Sequence, residues 1–125
     1  MEQKVRKLVV VDDETEICDF LKSFFEERFF DVSTANNGEE AVSMVGQVKP
    51  QVVLLDVHMP GMDGMQVLKL LKEKFPQTKV IMVTALETRE KIEEAMRLGA
   101  DNYITKPLSL EYLEKDVREK IEQLT

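Results

Sequence analysis

Val52-Val53-Leu54-Leu55-Asp56, running on into Val57-His58-Met59-Pro60-Gly61-Met62-Asp63-Gly64, decides the fold. An unbroken apolar run of this length, rich in β-branched residues, suggests a strand buried on both faces, as in a parallel sheet covered by helices. The carboxylate that closes the run opens a polar loop at the strand's carboxyl end. Two further runs have the same character, Leu8-Val9-Val10-Val11 and Val80-Ile81-Met82-Val83. Two more polar stretches, Asp31 to Ala35 and Asn102 to Thr105, suit the edges of the sheet.

Helical periodicity fills the intervals. Ile17, Phe20, Leu21 and Phe24 recur at i, i+3, i+4 and i+7. Asn37 stands before Gly38-Glu39-Glu40 as a cap for a helix carrying Ala41, Val42 and Val45. Val67, Leu68, Leu71 and Phe75 mark another helix, stopped by Pro76. Ile92, Ala95 and Met96 mark a fourth, ended by Gly99, and Leu110, Leu113 and Val117 a fifth. Strand and helix alternate five times, which predicts a doubly wound α/β domain with right-handed crossovers. No internal repeat or linker interrupts the pattern, so a single domain over residues 1–125 is expected.

Composition narrows the function. With 43% hydrophobic and 33% charged residues the chain is globular rather than disordered. No run approaches the roughly 18 apolar residues of a membrane span, and the N-terminus does not have the form of a signal peptide. Acidic residues outnumber basic ones 24 to 17, giving a formal charge of -7, so direct nucleic-acid binding lacks its basic footprint. Cys18 is the one cysteine and cannot form an internal disulfide, which makes the cytoplasm the expected location. Its place beside Ile17 suits a packed thiol better than a redox sensor.

In an open α/β sheet, ligands sit beyond the carboxyl ends of the strands. Those ends carry Asp12-Asp13-Glu14, Asp56, Thr84-Ala85 and Thr105-Lys106-Pro107. The turn after the first strand is acidic, with neither Gly-x-Gly-x-x-Gly nor Gly-Lys-Ser/Thr, so nucleotide and flavin binding find no support. Three carboxylates converging at one sheet edge call for raised pKa values or a bound cation. Hard oxygen ligands favour Mg²⁺. Lys106 and Thr84 add an ammonium and a hydroxyl. A carboxylate nucleophile, a metal and a lysine outline a phosphoryl-transfer site.

The sequence resembles the receiver domain of two-component response regulators, the CheY-like fold, from about Lys7 to Leu124. Five features carry the resemblance in order: Asp12-Asp13, Asp56 with Met59-Pro60-Gly61-Met62-Asp63-Gly64, Thr84-Ala85, Gly99-Ala100 and Lys106-Pro107. The resemblance implies a flavodoxin-like (βα)5 domain with parallel strand order 2-1-3-4-5. It implies that Asp56 accepts a phosphoryl group from a sensor histidine kinase or phosphotransfer protein. Asp12, Asp13, Asp56 and the backbone carbonyl of His58 would hold Mg²⁺, or Mn²⁺ in its place. Lys106 would pair with the phosphoryl group across a cis bond to Pro107. Thr84 would turn its hydroxyl to a phosphoryl oxygen and Tyr103 would swing in behind it. The surface of the fourth helix, fifth strand and fifth helix would then report the state to an output protein or domain. In such a module the chain is no enzyme beyond its own phosphorylation and dephosphorylation.

Each residue also has a plainer reading. Asp12 and Asp13 suit an N-cap and a first-turn acid of the first helix, with Asp13 able to do both jobs. A lysine such as Lys106 is ordinarily a surface residue, and Thr84 an ordinary strand end. Tyr103 suits either edge-strand packing or a switch. His58, the one histidine, is either an exposed loop residue or an imidazole overhanging the phosphoryl group. Leu86 is apolar where many such domains carry a polar group. Met59, Met62 and Met65 fit loop cover and helix packing, and residues 89–94 a solvated face of mixed charge or part of a docking surface. Two rival functions stand beside the first. One is a receiver domain cut from a longer transcription regulator. The other is a haloacid dehalogenase-like Mg²⁺ phosphatase, which requires a second Asp where this chain has His58.

Overall fold

The computed structural model describes residues 6–59, 61, 63–85 and 89–125, so Pro60, Met62 and Leu86 lie outside the described residues. Strands β1 (Arg6–Val11), β2 (Phe30–Ala35), β3 (Val52–Asp56), β4 (Lys79–Thr84) and β5 (Asn102–Thr105) form one sheet. All four pairings are parallel and the order is β2-β1-β3-β4-β5. The two polar strands β2 and β5 are the edges, as their composition predicts.

Alternation within β1 divides the core. Val9 and Val11, with Val53 and Leu55 of β3, pack against α2 (Gly38–Val48), α3 (Gly64–Lys74) and α4 (Arg89–Arg97). Leu8, Val10 and Leu54 face the other way, against α1 (Thr15–Glu26) and α5 (residues 110–124). Every one of these strand residues is at most 1% exposed, so β1 and β3 are two-sided core strands.

Local chemistry sets the helix ends, and Asn37 and Gly99 stand where the sequence reading places them. Asn37 caps α2 by accepting the Glu40 N–H at 2.9 Å, and Asp63 caps α3 by accepting the Met65 N–H at 2.9 Å. Gly99 at φ 105° closes α4, with Ala100 N–H on the Ala95 carbonyl at 3.0 Å and Gly99 N–H on that of Met96 at 3.1 Å.

Two helical faces differ from expectation. On α1 the buried residues are Cys18, Leu21, Phe24 and Phe25, while Ile17 is half-buried and Phe20 is 40% exposed. Two overlapping periodic sets share Leu21 and Phe24. Edge-to-face packing of Phe25 on Phe24 at 4.9 Å and on Phe30 at 5.4 Å favours the set that buries Phe25. On α5, Leu113 and Val117 are buried but Leu110 is 60% exposed. The segment Leu113–Val117 is wound as a π-helix. Leu110 precedes that segment, in the first turn after the Ser109 cap, and stands outside the buried stripe.

Candidate functional site

Register assembles the site before any side chain is considered. Val11 pairs with Leu55, so Asp12 and Asp56 leave adjacent strands side by side, and Asp56 pairs in turn with Val83, the residue before Thr84. Thr84 pairs with Thr105, which delivers Lys106 to the same edge. This is the crevice where the chain turns to opposite sides of the sheet, from β1 out to β2 and from β3 out to β4.

The side chains converge there. Lys106 Nζ lies 3.2 Å from Asp12 Oδ2 and 3.6 Å from Asp56 Oδ2. Asp12 and Asp56 are only 3% and 4% exposed, unusual burial for carboxylates, while Asp13 is exposed. One oxygen from each of Asp12, Asp13 and Asp56 can be chosen so that all lie within 4.8 Å of one another. The Lys106–Pro107 bond is cis. Asp13 does not cap α1, because Glu14 holds the cap position, and it is Asp12 Oδ1 that accepts the Glu14 N–H at 2.9 Å.

Burial, and after it the charge of Asp12, pushes the Asp56 carboxyl above the usual carboxylate range, against the pull of Lys106 and the His58 N–H. Burial lowers the Lys106 ammonium, but Asp56 and Asp12 outweigh it and the net shift is upward. One lysine thus faces a surplus of acid, and the three hard oxygens suit a divalent cation. A second observation falls at the same sheet edge. Thr84 Oγ1 is buried with no hydrogen-bond partner among the described residues, and a buried hydroxyl left unpaired is costly unless something else engages it.

His58 stands on the loop leaving β3 with its side chain exposed, and its N–H donates to Asp56 Oδ1 at 3.2 Å. Tyr103, 37% exposed on β5, shares with Thr84, Ile92 and Ala95 a crevice of about 10 Å³. That space is close to what one water needs and far too small for a phenol ring. Beside Lys106 a mostly apolar groove of about 490 Å³ runs between Ile17, Phe20, Pro107 and Leu108. Cys18 is buried beneath the site, its thiol donating to the Asp12 carbonyl at 3.4 Å, and burial followed by the charge of Asp12 pushes it up to about 11. It is a packed thiol.

The sequence reading missed one contributor. A Cβ on Gly64 would lie 2.6 Å from the carbonyl oxygens of both Asp56 and Val57, so only glycine lets α3 start this close to the strand end. Its place in the motif was visible, but close backbone approach leaves no periodic signal.

A parallel five-stranded α/β sheet with clustered acids, a threonine and a lysine at its carboxyl edge defines the receiver class of domain. The chain matches the response regulator receiver domain over residues 8–118 and belongs to that family. It is similar in structure to a CheY-like receiver domain protein of Methanospirillum hungatei, at 28% identity and a TM-score of 0.88, covering 97% of each chain. The Vibrio cholerae chemotaxis protein CheY4 matches at 27% identity and a TM-score of 0.86, over 93% of this chain and 98% of that one. NtrX from Brucella abortus matches at 26% identity and a TM-score of 0.86, over 97% of this chain but 28% of that one. The fold is that of a signalling domain of two-component systems and of no classical enzyme family. Among the described residues no helix is long and apolar enough to cross a membrane.

Proposed function

We propose that this chain is a cytoplasmic receiver module, one domain over residues 1–125, in which Asp56 accepts a phosphoryl group from a phosphohistidine on a sensor kinase or phosphotransfer protein. The observation that carries the reading is the buried Asp56 carboxylate held between two further acids and the Lys106 ammonium at 3.6 Å. In the transfer an Asp56 oxygen forms a bond to phosphorus as the phosphorus–nitrogen bond breaks, and the imidazole leaves with that bond's electron pair. Asp12, Asp13 and Asp56, with the His58 carbonyl, would hold Mg²⁺ or Mn²⁺, whose charge when bound offsets that of the transferring group.

Lys106 offsets charge during the transfer as well, and Lys106 and Thr84 both hold the phosphoryl group once it has arrived. Lys106 pairs with a phosphoryl oxygen, and Thr84 brings to another the hydroxyl that otherwise lacks a partner. Tyr103 enters the crevice that Thr84 vacates. Moving a two-state surface from 1:99 to 99:1 takes about 5.5 kcal/mol. Charge-assisted bonds contribute about 1.5–3 kcal/mol each, so two are of the right order. The surface of α4, β5 and α5 then engages an output protein or domain. The same reading serves a receiver domain within a longer regulator, and NtrX contains such a match inside a longer chain.

Incubation with a phosphohistidine donor, with and without Mg²⁺, tests this. Stoichiometric, Mg²⁺-dependent labelling supports the receiver. Sustained turnover of an aryl phosphate would instead favour a phosphatase.

A further inference from the structure

β5 pairs with β4 on one side and forms the edge of the sheet on the other. The outward N–H and C=O groups of an edge strand need partners from elsewhere. The Tyr103 N–H donates to Asn102 Oδ1 at 2.8 Å within the strand, and α5 supplies two further partners. Tyr112 Oη accepts the Thr105 N–H at 3.1 Å, and Lys120 Nζ donates to the Tyr103 carbonyl at 3.1 Å. In a regular α-helix, residues eight apart stand about 80° out of phase. The π turn Leu113–Val117 absorbs one residue between them, leaving about 700° of rotation, within about 20° of two full turns. The irregular turn therefore brings both side chains over the same strand edge.

Thr105 ends β5 and directly precedes Lys106. On the inner side the Lys106 N–H donates to the Thr84 carbonyl at 2.7 Å. On the outer side the grip is the Tyr112 hydroxyl. We propose that Tyr112 is a positioning residue: its hydrogen bond to Thr105 fixes the strand end from which Lys106 reaches Asp12 and Asp56, and ties α5 to that strand end. The role assigned to Lys106 in phosphoryl binding rests on the function proposed above, whereas the placement of Lys106 by Tyr112 does not.

Tyr112→Phe keeps the ring that packs against the core and removes only the acceptor. Amide exchange at Thr105 is expected to rise about fivefold or more relative to Ile104, as when one neutral hydrogen bond is lost. The NMR signal of the Lys106 side-chain ammonium should shift, with the melting temperature nearly unchanged. Both readouts need no phosphorylation. Labelling of Asp56 by acetyl phosphate should slow about three- to tenfold in Tyr112→Phe, but less than about twofold when the substitution is made in Lys106→Ala. An unchanged Lys106 signal, or equal slowing in both backgrounds, overturns the proposal. A wild-type protein that shows the NMR changes on substitution but never labels leaves the positioning role standing and removes the phosphoacceptor reading.

Discussion

Asp12 and Lys106 stand 94 positions apart in the chain, yet the lysine Nζ lies 3.2 Å from Asp12 Oδ2. One residue follows the first strand and the other the fifth, so only a sheet that runs outward in both directions from β1 and β3 brings them to one edge. Asp12 already spends its second oxygen on the Glu14 N–H at 2.9 Å, and Asp56 is left with the longer lysine contact of 3.6 Å. The ammonium is thus shared by two buried carboxylates, and neither is fully neutralised.

The surplus of acid has a thermodynamic consequence. A divalent cation that binds only the folded state should raise the melting temperature, by the equivalent of about 2.7 kcal/mol at a hundred times its Kd. Asp13 is the exposed member of the three acids, so Asp13→Ala should fold normally and lose most of that response. Melting curves with and without Mg²⁺ make the comparison, and an undiminished shift in Asp13→Ala takes Asp13 out of the site.

The raised Asp56 carboxyl gives a pH dependence with a definite sign. Between the ordinary carboxylate value of about 3.9 and the raised native one, the folded protein keeps a proton that the unfolded chain has released. Stability of the metal-free protein should therefore fall as pH rises through that window, and the cost is complete above it. Asp56→Asn should flatten this fall and raise the urea midpoint at pH 7. A variant whose midpoint drops at neutral pH would mean that the carboxylate is well satisfied in the unmodified protein.

Thr84 separates stability from signalling. Its Oγ1 is buried without a partner among the described residues, so Thr84→Val, which exchanges the hydroxyl for a methyl of similar size, should stabilise the unmodified protein by about 1 kcal/mol. The same variant should still be labelled on Asp56, but show a weaker change in amide NMR shifts between Arg89 and Glu122. Full wild-type shifts in the labelled variant would remove Thr84 as the coupling element, and with it the role of Tyr103, whose ring has no room until Thr84 moves.

Much of this was legible in the sequence because it is written in repeating patterns. The two-sided runs at Val9 and Val53 mark central strands, and Asp12, Asp56, Thr84 and Lys106 stand where those runs end. The illegible parts are those where packing chooses between equivalent patterns or breaks one. Phe20 and Phe25 compete for the same face of α1, and contact with Phe30 decides between them. The π turn in α5 carries no compositional mark, so the alignment of Tyr112 with Lys120 goes unnoticed. The unpartnered hydroxyl of Thr84 is a fact of three dimensions, since a threonine at a strand end ordinarily finds water or a carbonyl.

The central claim is that Asp56 is the one phosphoacceptor. Intact-mass analysis and peptide mapping after incubation with acetyl phosphate and Mg²⁺ test it most directly, on the wild type and on Asp56→Asn, which keeps the shape and removes the nucleophilic carboxylate. One phosphoryl group on Asp56 in the wild type, lost on chelation of the metal and absent from Asp56→Asn, is the expected result; a phosphoryl group retained by Asp56→Asn under the same conditions contradicts it.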